Sequence, residues 1–295
     1  MKKQHLFEGT ATAMITPFSG RGIDFPALSK IIEYQINGGV NALVVLGTTG
    51  EPATMSQEEK DAVLAFTVNK VKGKIPIIVG AGSNSTGQAI INCQNAERLG
   101  ADGLLVVTPY YNKCTDKGLI AHYTAIAEST SLPIIVYNVP SRTGVNMRPQ
   151  VFDRLADIDN IVGIKEASGN MSQIAETIRL TRSRAAVYSG DDALTIPIMS
   201  LGGKGIISVA SNVIPSFVTK MTSEYLNGDS TLAAQMQLDL LPLINALFEE
   251  VNPIPVKKAC EIIELCKGDI RLPLTTATRR TTADLKHTLK QFYPL

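Results

Sequence analysis

What most constrains this chain is a rhythm. Short apolar runs alternate with longer amphipathic stretches along most of its length. The runs are TATAMIT (10–16), ALVVL (42–46), IPIIVG (75–80), GLLVVT (103–108), PIIVYN (133–138), IVGIK (161–165), AAVYSG (185–190) and GIISVA (205–210). Runs this short, apolar and rich in β-branched residues fit strands buried on both faces. Between them, 25–36, 57–71, 86–99 and 119–129 have helical spacing. Asp24 and Ser56 stand where helices should start, and Gly38-Gly39, Gly73 and Gly100 where they should stop. Eight β-then-α units predict parallel strands joined by crossover helices, and eight is the number that closes a (β/α)8 TIM barrel. The alternative is an open doubly wound sheet, which usually has fewer strands and a nucleotide loop after the first. After about residue 225 the strand signal stops. Residues 230–251, 254–267 and 281–292 predict three further helices, giving a barrel over 1–225 and a helical extension over 226–295.

In such a barrel, chemistry stands at the C-terminal ends of the strands. Those ends carry GTTGE (47–51), GAGSNSTG (80–87), TPYYN (108–112), YNVPSRTG (137–144), KEASGN (165–170), SGDD (189–192) and SVASN (208–212). Polar, aromatic and glycine residues gather there while the strand bodies stay apolar. Lys165 follows directly on an apolar strand, and a lysine rarely sits buried without a partner. Period-two alternation puts Ile161, Gly163 and Lys165 on one face, with Gly163 leaving a space beneath the amine. A lysine held there is desolvated, its pKa falls toward neutrality, and it becomes a nucleophile suited to Schiff-base formation. The plainer reading pairs Lys165 with Glu166 or leaves it in solvent. Tyr137 ends the preceding strand and should neighbour Lys165, where a phenol can shuttle protons; otherwise it is a buried tyrosine with a satisfied hydroxyl. GTTGE offers hydroxyls and a turn whose amides could hold a carboxylate.

Other signals exclude function classes. A formal net charge of +1 gives no expectation of a nucleic-acid surface or polybasic membrane patch. Hydrophobic residues make up 44%, enough for a proper core. No apolar stretch approaches a membrane span, and Met1 to Thr10 lacks the apolar run of a signal peptide, so a cytoplasmic protein is expected. Four cysteines lack zinc-like spacing. GAGSNS has Ser85 where a dinucleotide loop needs its third glycine, and GGKG (202–205) lacks phosphate-loop spacing. Asp191 and Asp192 read as helix caps, and His5, His122 and His287 form no cluster. No metal and no cofactor are expected.

Taken together, GTTGE, TPYYN, YNVPSRTG and GIKEASGN, in this order and at these intervals, resemble the dihydrodipicolinate synthases of the pyruvate-dependent class I aldolase superfamily. The likeness runs from about 9 to 225, and the tail agrees in length. It implies that Lys165 forms an imine with pyruvate, and that Tyr137 relays protons in a chain with Thr48 and with Tyr111 from a neighbouring subunit. It implies that Thr48 and Thr49 hold the pyruvate carboxylate, and that Arg142 meets the carboxylate of L-aspartate 4-semialdehyde. Gly190 and Ile207 would face the site through their backbones. The implied assembly is a homotetramer, a dimer of dimers.

Within the superfamily, the guanidinium of Arg142 suits a small carboxylated substrate, whereas N-acetylneuraminate lyases and 2-keto-3-deoxy-sugar-acid aldolases accommodate a polyol there and lack the SRTG element. A non-catalytic pyruvate-binding regulatory barrel is the reading from another class; binding alone needs no proton relay. Some relatives bind lysine at a subunit interface, through a glutamate and nearby histidines. The corresponding positions are Gln88 for the glutamate and Gln57 and Lys60 for the histidines, while Asn84 and Tyr110 are kept. Weak or absent inhibition by lysine is therefore expected.

Overall fold

The computed structural model describes residues 5–20, 22–182 and 184–294. Eight parallel strands close into a barrel: β1 Gly9–Ala13, β2 Ala42–Val45, β3 Ile77–Gly80, β4 Gly103–Val107, β5 Ile134–Asn138, β6 Ile161–Glu166, β7 Ala186–Ser189 and β8 Gly205–Ser208. Their order around the barrel is β1-β8-β7-β6-β5-β4-β3-β2. The TIM barrel expected from the rhythm is the fold observed. Each strand falls within a residue or two of its apolar run, except that β1 stops three residues before its run does.

The helices that follow the strands are α1 Phe25–Asn37, α2 Gln57–Val71, α3 Thr86–Arg98, α4 Asp116–Glu128, α5 Pro149–Leu155, α6 Met171–Thr181, α7 Thr195–Ser200 and α8 Pro215–Leu226. Their starts are set by local chemistry. Asp24 accepts the Ala27 N–H. Ser56 and Glu59 form a reciprocal capping box, each side chain taking the other's backbone N–H. At the end of α2 the left-handed cap is Lys72, one residue before the expected glycine. A two-residue hairpin, Phe18–Ser19 against Gly22–Ile23, was not expected; strands so short carry no periodic signal.

Contacts group the chain into two units, Met1–Glu8 with Pro76–Ile207, and Gly9–Ile75 with Ser208–Leu295. In the first, β4 to β7 pair in a continuous ladder, and one irregularity between Ile134 and Ile135 shifts the register of β5 against β6. In the second, Ala11 to Ala13 of β1 pair with Ala42 to Val44 of β2. The expected tail helices are α9 Ser230–Leu247, α10 Ile254–Ile262 and α11 Arg279–Leu289. The tail is tied to α1: Tyr34 Oη bonds with Tyr293 Oη and donates to the Val213 carbonyl, and Lys30 Nζ donates to the Glu264 carbonyl. Among the described residues, no helix is long and apolar enough to cross a membrane.

Candidate active site

Lys165 sits near the end of β6, level with Tyr137 of β5 on one side and Tyr188 of β7 on the other. Strand partners in register share a face. The neighbouring residue Glu166 points the other way, toward α6, where Gln173 bonds to it. Lys165 therefore faces the barrel interior. It is 5% exposed, and its Nζ lies 4.4 Å from the centre of the Tyr137 ring.

Burial brings the Lys165 pKa down from 10.5 to about 8; the charge of Asp192 opposes the shift and that of Arg142 adds to it. A useful fraction of the amine is thus neutral near neutral pH. Burial pushes the Tyr137 phenol up to about 12, with Arg142 pulling against it. The phenol keeps its proton at neutral pH and can give it up only as it receives another.

One expectation about Lys165 is corrected, and the plainer reading of it fails. The space at Gly163 is not left beneath the amine: a Cβ there would meet the Ala186 carbonyl at 2.9 Å and the Tyr188 ring at 3.2 Å. Tyr188 fills it, stacked on Phe7 and donating to the Phe7 carbonyl at 2.8 Å. The glycine that makes room is Gly190, where a Cβ would lie 2.9 Å from Lys165 Cε. Nor is Glu166 the lysine's partner. Buried on the opposite face, its carboxylate accepts from Asn138 Nδ2 at 3.1 and 3.2 Å and from the Ser168 N–H at 2.9 Å. Burial raises its pKa, against the hydrogen bonds from Ser168 and Asn138.

The acidic pair after β7 divides its roles. Asp191 caps as expected, accepting the Ala193 N–H at 3.0 Å. Asp192 is 2% exposed, and its charge is felt at Lys165. Sequence reading missed this acid because its neighbour carries the same side chain and the cap signal suits either.

Arg142 stands on the short helix Pro140–Thr143, exposed and at the strand-end side of the barrel. Thr108 Oγ1 donates to Thr143 Oγ1 at 3.3 Å, tying the TPYYN loop to this turn. Tyr111 is 90% exposed and held at φ 68°, a conformation a bulky side chain seldom adopts. Ile207 is buried at 1%. In the other unit, GTTGE forms a tight turn over Thr48–Gly50, with Thr48 exposed and Thr49 buried. The Gly50 N–H closes that turn on the Gly47 carbonyl at 2.9 Å, so the amides of Thr48 and Thr49 precede its first internal bond.

Of the lysine-pocket residues, Gln88 is exposed with its Nε2 on Asn92, and the Asn84 carbonyl accepts from Asn112. Tyr110 is 39% exposed. In the other unit, Gln57 Nε2 donates to Asp61 and Lys60 lies half-buried on the first turn of α2.

A dry, partly neutral amine beside a phenol, at the strand-end side of a closed parallel barrel, is the arrangement that an imine-forming (β/α)8 lyase of the class I aldolase type requires. The particular family follows from comparison with known proteins. Residues 6–292 match the model of the Dihydrodipicolinate synthetase family, and the chain belongs to that family. The curated 4-hydroxy-tetrahydrodipicolinate synthase of Thermoanaerobacter sp. (strain X514) is 49% identical over 97% of this chain and 97% of its own. The crystal structure of dihydrodipicolinate synthase from Thermotoga maritima has a TM-score of 0.96 at 46% identity, over 97% of this chain and 99% of that one. The enzyme from Acinetobacter baumannii, described as chloride-inhibited and solved in complex with pyruvate, has a TM-score of 0.94 at 42% identity, over 96% and 98%.

Proposed function

We propose that this chain is a 4-hydroxy-tetrahydrodipicolinate synthase. It condenses pyruvate with L-aspartate 4-semialdehyde in the first committed step of lysine and diaminopimelate synthesis. The observation that carries the reading is the Lys165 amine, 5% exposed, held at a pKa of about 8 against Tyr137. The neutral amine attacks the keto carbon of pyruvate and water leaves, giving an imine. Loss of a methyl proton gives an enamine, whose carbon attacks the aldehyde. The substrate's own amine then closes on the imine carbon and displaces Lys165.

Tyr137 relays the protons, in a chain with Thr48 and with Tyr111 of a neighbouring subunit. Thr49 holds the pyruvate carboxylate together with Thr48, and Gly190 and Ile207 border the site with their backbones. Arg142 receives the semialdehyde carboxylate. The active form is a homotetramer in the cytoplasm, with residues 1–225 as the catalytic barrel and 226–295 as its helical extension. Lysine inhibits weakly or not at all, because Gln88 offers no negative charge to the ligand's ammonium and Lys60 adds a positive one.

The test is a comparison of condensation with cleavage. Purified protein should condense pyruvate with the semialdehyde and leave N-acetylneuraminate uncleaved, and faster cleavage than condensation would replace the synthase with a lyase. Arg142→Ala should lower kcat/KM for the semialdehyde on the order of 10–100-fold, the value of a charge-assisted hydrogen bond. Imine formation with pyruvate should persist in that variant. In the same assay, strong inhibition by sub-millimolar lysine would contradict the pocket assignment.

A further inference from the structure

The tail reaches the GTTGE turn at two points. Lys257 of α10 forms an ion pair with Glu51, both side chains 1% exposed. Ahead of it, Asn252 Nδ2 donates to Thr49 Oγ1 at 3.0 Å, linking residues 203 positions apart. Thr49 is 3% exposed and Asn252 6%, so water does not compete for this bond.

A threonine hydroxyl has one proton to give and two lone pairs with which to accept. Left alone, it rotates among staggered positions and can serve as donor or acceptor. The hydrogen bond from Asn252 occupies a lone pair and turns the hydroxyl proton away from the amide, so Thr49 has its donor free for another group. We propose that Asn252 is a positioning residue, fixing the Thr49 hydroxyl as a donor to the carboxylate of pyruvate. This rests on the reading above, in which Thr49 holds that carboxylate. Asn252 acts through Thr49 and supplies no proton to the reaction. Glu51 and Lys257 secure the far end of the same turn, so the tail sets both where the turn lies and which way its buried hydroxyl points.

The measurement is steady-state kinetics with pyruvate varied at saturating semialdehyde, alongside borohydride trapping of pyruvate on the enzyme. Asn252→Ala should raise KM for pyruvate on the order of 3–10-fold, the value of one neutral hydrogen bond. Its kcat at saturating pyruvate should stay within about twofold. Asn252→Asp keeps size and shape but can only accept; it should turn the hydroxyl toward itself and raise KM further than alanine does. In a Thr49→Val background, adding Asn252→Ala should change KM no more, because the hydroxyl being oriented is gone. An unchanged KM in both single variants, or a full additional penalty on top of Thr49→Val, overturns the inference while trapping of pyruvate by the parent still stands. Absence of trapping in the parent removes the pyruvate reading itself, and this inference with it.

Discussion

At neutral pH the fold holds Lys165 against its preference for water. Its pKa is about 8 in the folded protein, against 10.5 for the ordinary side chain. Between those values the unfolded chain binds a proton that the folded chain does not, so stability rises as pH climbs through that window. Below pH 8 the penalty is present in full, roughly 3 kcal/mol at about 1.4 kcal/mol per unit. Lys165→Met should therefore melt higher than the parent at pH 7, with the gap closing toward pH 10.5. Thermal unfolding across that range measures it, and a gap independent of pH would mean that the amine is not buried. Imine formation should accelerate as pH rises through 8, because the neutral amine attacks. Their places at the ends of successive strands were enough to set Tyr137 beside Lys165. Asp192 and Asn252 were not legible: one looks like its capping neighbour, and the other meets Thr49 only through the fold.

Two glycines near β6 separate packing from chemistry at the scale of the element. Gly163→Ala would push a methyl against the Ala186 carbonyl and the Tyr188 ring, 2.9 and 3.2 Å away. Overpacking of this kind costs about 1–3 kcal/mol, but the new methyl meets strand and ring rather than the amine. Gly190→Ala would place its methyl 2.9 Å from Lys165 Cε and 2.8 Å from Ala167 Cβ. Displacing the nucleophile should slow imine formation on the order of 10–100-fold. Melting temperature and the rate of borohydride trapping, measured on both variants, read this contrast. Equal losses of trapping at both positions would contradict it. The elements were legible because each strand is a compact apolar run and most helices open on a readable cap. Which glycine makes room for the amine depends on where Tyr188 folds, and alternation within one strand has no access to that.

Across the whole molecule, the tail is joined to a strand-end turn by the buried pair of Lys257 and Glu51. Lys257 Nζ also donates to the Asp269 carbonyl at 2.9 Å and lies 3.8 Å from the centre of the Phe18 ring. Burial lowers the Lys257 pKa, and the charge and hydrogen bond of Glu51 raise it. Lys257→Met would remove the ion-pair partner of a buried carboxylate, at a cost of about 3–5 kcal/mol. Chemical denaturation should show that loss, and a value within about 0.5 kcal/mol of the parent would make the pair a surface-like contact. The helices of the tail were legible from their spacing; their anchoring to GTTGE was not, since the partners lie some two hundred residues apart. The proposed chemistry turns on one amine. Pyruvate and borohydride, followed by mass spectrometry of the digested protein, should add a single reduced pyruvyl group at Lys165, and an unmodified Lys165, or label spread over surface lysines, would contradict it.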